Sequence, residues 1–136
     1  MQEHILLCYN ITMKHNDDLV LNVIKTNTKP LTAYEILSKV QKVKKIQPMS
    51  VYRSLKNLQT QGKIHKSNQS KSFLLCKEGD HKHSHNPVLV ICNDCGKTEE
   101  LEVNTFSKLL SNLKTKANFQ FQNFQMEVSS TCKSCN

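Results

Sequence analysis

Tryptophan is absent from this 136-residue chain, and apolar residues make up only 38% of it. A chain of this length holds one medium domain or two small ones. Two small ones would each have a core near the size at which burial alone is marginal. Metal ions or self-association are the expected reinforcements. Also missing is any run of about eighteen apolar residues, so no membrane-spanning helix is expected. Residues 1–13 carry a short apolar patch at Ile5, Leu6 and Leu7. They lack the basic stretch and small-residue cleavage site of a secretory signal. No His-Glu-x-x-His helix motif occurs, and this argues against a zinc hydrolase, which needs an open metal position and a placed general base.

Acidic residues are missing from one long stretch. Lys39, Lys42, Lys44, Lys45, Arg53, Lys56, Lys63, Lys66 and Lys71 follow one another with no Asp or Glu between them. The net charge is +8 and the pI about 9.2. A one-signed stretch suits a phosphate backbone. The plainer alternative is a solvated basic face. A membrane surface is a poorer partner, because the charges flank no long apolar segment.

What is present reads as a series of short elements. Leu19, Val20, Val23 and Ile24 fall at helical spacing within residues 16–29, with Asn16 or Asp17 as a candidate cap and Pro30 beyond the end. Thr32 and Glu35 form a capping box ahead of a stripe at Ile36, Leu37, Val40 and Val43. Pro48 opens a third helix with Ser50 as a candidate cap. Val51, Leu55 and Leu58 line one face, and Gly62 stands where the chain must stop. Lys63–Lys66 and Ser72–Cys76 flank a polar turn and predict a β-hairpin. Three helices, the third one basic, followed by a hairpin describe a winged helix-turn-helix.

Residues 78–87 form a polar, His-rich linker. The chain then turns β-like at Val88–Cys92 and Thr98–Val103, and helical at Thr105–Lys116, with Phe106, Leu109, Leu110 and Leu113 on one stripe. Phe119–Val128 reads as extended, with a slip in alternation near Asn123 that suggests a bulge. The predicted fold class is therefore α+β. A winged-helix DNA-binding domain spans 1–77, a hinge spans 78–87, and an α/β metal-binding domain spans 88–136.

Four of the six Cys stand in two Cys-x-x-Cys pairs, Cys92/Cys95 and Cys132/Cys135. Without a signal sequence a reducing compartment is expected, and there such pairs read as a closed four-thiolate structural zinc site. Redox pairs are the alternative. A looser set of donors includes His81, His83 and His85 in the linker, His65 and Cys76 on the hairpin, and Glu99 and Glu100 after the first knuckle. Ligands drawn from both halves would couple metal occupancy to domain orientation. Spacing alone leaves open that the linker His are surface residues and Cys76 a small buried hydrophobe.

Pro48-Met-Ser-Val-Tyr-Arg-Ser-Leu55, and Ile91-Cys-Asn-Asp-Cys-Gly96 followed by Glu100, resemble the ferric uptake regulator family over residues 31–136. Tyr34 within Leu31–Leu37, and the His65 and Cys76 of the hairpin, resemble its zinc-sensing branch. So does the pair Asn123-Phe124, where iron and peroxide sensors place a metal ligand. The resemblance implies a dimeric, cytoplasmic, zinc-responsive repressor of zinc-uptake genes that binds pseudo-palindromic operator DNA, with neither a membrane nor a small-molecule substrate as partner. It implies two zinc ions per chain: a structural one at Cys92, Cys95, Cys132 and Cys135, and a regulatory one at His65, Cys76, His85 and Glu100. His81 and His83 are left for a secondary site. Tyr52 and Arg53 are the implied base readers, with Tyr34 a further candidate, and Lys56, Lys63, Lys66 and Lys71 the implied phosphate contacts. An iron or other divalent-metal sensor of the same family, or a structural zinc-binding interaction domain, is the alternative. One departure stands out: the family's first helix is expected to be short or missing here, with Asp17 and Asp18 where a basic residue would help DNA binding. Cys8 has no assigned partner.

Overall fold

Val20, Val23 and Ile24 wind onto the buried side of a helix far longer than its apolar stripe, α1, Gln2–Thr26. The computed structural model describes residues 2–77, 86–101 and 124–136, with 106, 108, 109, 111 and 112. For residues 2–10 it describes the backbone alone. The first helix is thus neither short nor missing. Asn16 and Asp17 do not cap it either, because they lie well inside it and are buried. Cap-forming side chains turn inward where a tertiary partner competes with the local backbone. Here Asn16 Oδ1 accepts from Lys44 Nζ at 3.1 Å, and Asp17 Oδ2 accepts from Asn57 Nδ2 at 3.5 Å. Asp17 therefore serves the junction between helices instead of standing in the way of a phosphate.

A two-residue strand β1, Leu31–Thr32, leads into α2, Ala33–Val43. The capping box forms as expected: Glu35 N–H donates to Thr32 Oγ1 at 3.3 Å, and Thr32 N–H donates to Glu35 Oε2 at 2.7 Å. That backbone donor also holds the Glu35 carboxyl below its ordinary range. Ile36 and Val40 are buried, but Val43, expected on the same stripe, is 71% exposed at the helix end. Helix α3 runs Pro48–Thr60. Its cap is Gln47 and not Ser50, because Pro48 occupies the first turn, where its missing N–H costs nothing. Gly62 follows with φ +72°, the left-handed conformation that glycine takes without strain.

Strands β2, Ile64–Lys66, and β3, Ser72–Leu75, make the hairpin, and β3 also pairs with β1 in the order β1-β3-β2. Ile64 and Phe73 join Val20, Leu31, Ile36, Val40, Val51, Leu55 and Leu58 in one core. The hairpin's two faces have different tasks. His65 pairs with Leu74, and Cys76 N–H donates to Lys63 O just beyond, so His65, Leu74 and Cys76 share the face turned away from the helices.

The second sheet is β5-β4-β6, with β4 Val88–Cys92, β5 Thr98–Leu101 and β6 Met126–Ser130. β4 is antiparallel to β5 and parallel to β6. Its register puts Glu100, Leu89 and Glu127 in one row across the three strands, on one face. Phe106, Lys108, Leu109, Ser111 and Asn112 are helical, as expected. Leu110, Leu113 and the bulge expected near Asn123 lie outside the described residues.

Candidate metal centres and nucleic-acid interface

The knuckle after β4 is shaped by its backbone. Cys92 N–H donates to Lys97 O at 2.8 Å, Gly96 N–H returns to Cys92 O at 3.0 Å, and Gly96 takes φ +73°. β6 runs beside β4 and delivers the tail to the same place, with Asn93 N–H on Ser130 O at 2.8 Å. Cys92, Cys95, Cys132 and Cys135 converge, one sulfur from each lying within 4.8 Å of the others. Cys95 and Cys132 Sγ are 3.7 Å apart. Cys132 N–H donates to Cys92 Sγ at 3.3 Å. That donor, with the backbone N–H of Cys95, holds the Cys92 thiol down to about 6. The Cys135 thiol is pushed up to about 12, chiefly by its contacts with Cys132 and Cys95. One easily ionised thiol among four crowded sulfurs suits a soft cation that neutralises them together.

The second cluster spans the two sheets. His65 and Cys76 come from the outer face of the hairpin, and Glu100 comes from β5. Their donor atoms also lie within 4.8 Å of one another. All three are buried, Glu100 to 3% exposure. Its Oε1 lies 3.4 Å from His65 Nε2, and its Oε2 accepts the Lys77 N–H at 3.0 Å. A buried carboxylate beside an imidazole and a thiol is costly to keep dry without a cation. The mixed N, S, O set suits zinc better than iron. The choice between the neighbouring acids is plain in the geometry: Glu99 points to solvent and pairs with Lys97 Nζ at 2.8 Å. Of the expected ligands, His85 lies outside the described residues, as do His81 and His83. A cleft of about 310 Å³ lies beside the cluster, lined in part by Phe73, Leu75, Lys77 and Glu100.

The outer face of α3 carries Tyr52, Arg53 and Lys56, all exposed, while Val51, Ser54, Leu55 and Leu58 face inward. Tyr52 is therefore not a core residue. Tyr34 is exposed at the start of α2. Met49 is also exposed, one turn before Arg53, and was not among the residues expected on this face. Its signal was present, since 49, 52, 53 and 56 share one helical face. Lys71 is exposed at the end of the wing turn. Lys63 and Lys66 are half-buried, with Lys66 Nζ 5.7 Å above the Phe73 ring. A cation held over an aromatic face is less free to follow a phosphate.

Residues 10–129 match the model of the ferric uptake regulator family. The chain belongs to that family. It is 26% identical over 117 residues to the zinc uptake regulation protein of Escherichia coli K12, covering 85% of this chain and 68% of that one. The crystal structure of holo XcZur is 30% identical, with a TM-score of 0.74 over 88% of this chain and 83% of that one. A zinc uptake regulator complexed with zinc and DNA is 23% identical, with a TM-score of 0.77 over 98% and 93%, and shows the same fold. Among the described residues no helix is long and apolar enough to cross a membrane.

Proposed function

We propose that this family member is a zinc-responsive transcriptional repressor that binds pseudo-palindromic operator DNA as a homodimer and controls zinc uptake. Residues 1–77 form the DNA-binding domain, 78–87 the hinge and 88–136 the dimerising half. The observation that carries the reading is the meeting of His65, Cys76 and Glu100, two on the wing hairpin and one on the second sheet. An ion there would tie the two halves together, so occupancy would select one orientation of the DNA-binding half. The relative named a zinc uptake regulation protein supports the choice of metal.

Cys92, Cys95, Cys132 and Cys135 would hold a structural zinc that supplies folding free energy to a small sheet. His65, Cys76 and Glu100 would hold the regulatory zinc, with His85 as fourth ligand. The chain's own part is to orient the Glu100 carboxylate, through the Lys77 N–H, and to hold His65 and Cys76 on one hairpin face. Tyr52 and Arg53 would read bases and Lys56 a phosphate. Replacing Arg53 by Ala is expected to cost about 1–3 kcal/mol on the cognate site and to relax discrimination at one base pair, measured by competition binding.

Metal content of the purified protein, with and without a moderate chelator, tests the reading. Two zincs per chain are expected. One should be removable and absent from both His65→Ala and Cys76→Ser. A single tightly held zinc, unchanged in both variants, would leave a structural zinc protein whose basic face has another use.

A further inference from the structure

The wing hairpin touches the second sheet at a place that involves no metal. β6 turns alternate side chains toward the wing, beginning one residue before its first strand residue. Gln125 Nε2 donates to Lys66 O at 2.7 Å. Glu127 Oε1 accepts from Asn68 N–H at 2.6 Å, and Oε2 accepts from Gln69 N–H at 3.1 Å. Ser129 Oγ donates to Gln69 Oε1 at 2.9 Å. Gln125 Nε2 also lies 3.1 Å from Glu127 Oε1, which braces the carboxylate. Strand periodicity puts positions 125, 127 and 129 on one face, and the register makes it the face that carries Glu100.

The hairpin is therefore held at both ends by one sheet. At its open end His65, Cys76 and Lys77 meet Glu100 on the β5 edge. At its turn Asn68 and Gln69 meet Glu127 on the β6 edge. The two carboxylates stand in the same row with buried Leu89 between them, two strand spacings or about 10 Å apart. Attachment at a single point leaves a body free to pivot about it. Attachment at two points about 10 Å apart removes most of that freedom.

We propose that Glu127, braced by Gln125 and seconded by the Ser129 bond to Gln69, is a positioning residue: a metal-independent second anchor that converts zinc binding at the other end of the hairpin into one defined orientation of the DNA-binding half. This rests on the regulatory role given above to His65, Cys76 and Glu100. Glu127 touches neither metal nor DNA in this role. A carboxylate across two successive backbone N–H groups is a charge-assisted clasp, and the reduced turn entropy makes closure by zinc easier.

Hydrogen exchange on the full-length, zinc-loaded protein reads the clasp directly at the amides of Asn68 and Gln69. In Glu127→Ala their exchange is expected to quicken about tenfold or more, while the amides of Ile91 and Val128 and the zinc content stay unchanged. The gain in affinity for a palindromic duplex on adding zinc, read by fluorescence anisotropy, is expected to shrink about threefold to tenfold. Glu127→Gln keeps one acceptor oxygen and should fall between. Gln125→Ala, which spares the carboxylate, should loosen the same turn less. Unchanged exchange at both amides, or an unchanged zinc-dependent gain, overturns the anchor. Tighter DNA binding by zinc-free Glu127→Ala also overturns it, because the carboxylate would then be competing with a phosphate. A wild-type protein whose DNA binding ignores zinc would instead sink the regulatory reading, and the amide exchange would still report whether the clasp exists.

Discussion

The two donor clusters are built on opposite plans. The four-cysteine cluster is local: its ligands come from the end of β4 and the tail after β6, strands already paired, and two of its sulfurs are exposed. The His65, Cys76 and Glu100 cluster is buried, and its members come from two different sheets. A metal at the first would reinforce contacts that the backbone makes anyway. A metal at the second would create a contact between bodies that otherwise meet through polar clasps. The first plan would yield stability and the second response, because only the second would tie occupancy to an arrangement of the whole chain.

The largest way to break that contrast is at the local cluster. Cys132→Ser removes one of four ligands and also the side chain that follows β6 into the knuckle. Structural zinc sites of this kind contribute about 10–16 kcal/mol of apparent binding free energy. Losing even about 3 kcal/mol of that lowers the melting temperature by roughly 10 °C or more. The variant is therefore expected to melt well below wild type and to lose dimers on size exclusion. An unchanged melting curve with zinc content halved would show that the sheet does not depend on the ion.

Glu100→Gln should behave the other way round. The amide keeps the shape and the Lys77 N–H bond, so the melting temperature without metal should move by only a few degrees. Zinc-dependent DNA binding should fall about a hundredfold, as for a two-state switch that loses its differential affinity. If the variant melts early and still responds to zinc, the assignment of stability to one cluster and response to the other is reversed.

The contrast was only partly legible in the chain itself. The four-cysteine cluster and the order of elements followed from local rules, such as two-residue spacing, the Thr32–Glu35 box and the Gly62 stop. That His65 and Cys76 share one hairpin face was left open by spacing and follows from the register of the two strands. Choosing Glu100 over Glu99 came from family likeness, and its physical reason is the register with Leu89, which no local pattern reveals. The start of α1 was missed because Asn16 and Asp17 look like caps. Only the positions of Lys44 and Asn57, far along the chain, turn them into buried junction residues. Gln125, Glu127 and Ser129 were overlooked for a related reason. Alternating polar residues on a strand read as a solvated face until a second body is placed against them.

The smallest expected effect sharpens the contrast by pH. In the metal-free protein, with His65→Ala to silence the other cluster, the local sulfurs should leave a signature of their own. Cys92 is held near 6 in the fold against an ordinary value of 9.0. Unfolding then takes up a proton between those values, so its contribution is complete above pH 9 and is lost as pH falls toward 6. Cys135 is raised to about 12 from 9.0, so its contribution is present below pH 9 and is lost as pH rises toward 12. The melting temperature under reducing conditions should rise from pH 6 to about 9 and fall beyond it. Because Cys92 is already ionised at pH 7.5, zinc entering this cluster should release fewer than four protons, measurable by calorimetry in buffers of different ionisation enthalpy. A melting temperature that drops steadily from pH 6 to 9, together with release of all four protons, would mean that the backbone donors of Cys132 and Cys95 do not prepare the site. The knuckle would then be shaped by the metal and not in advance of it.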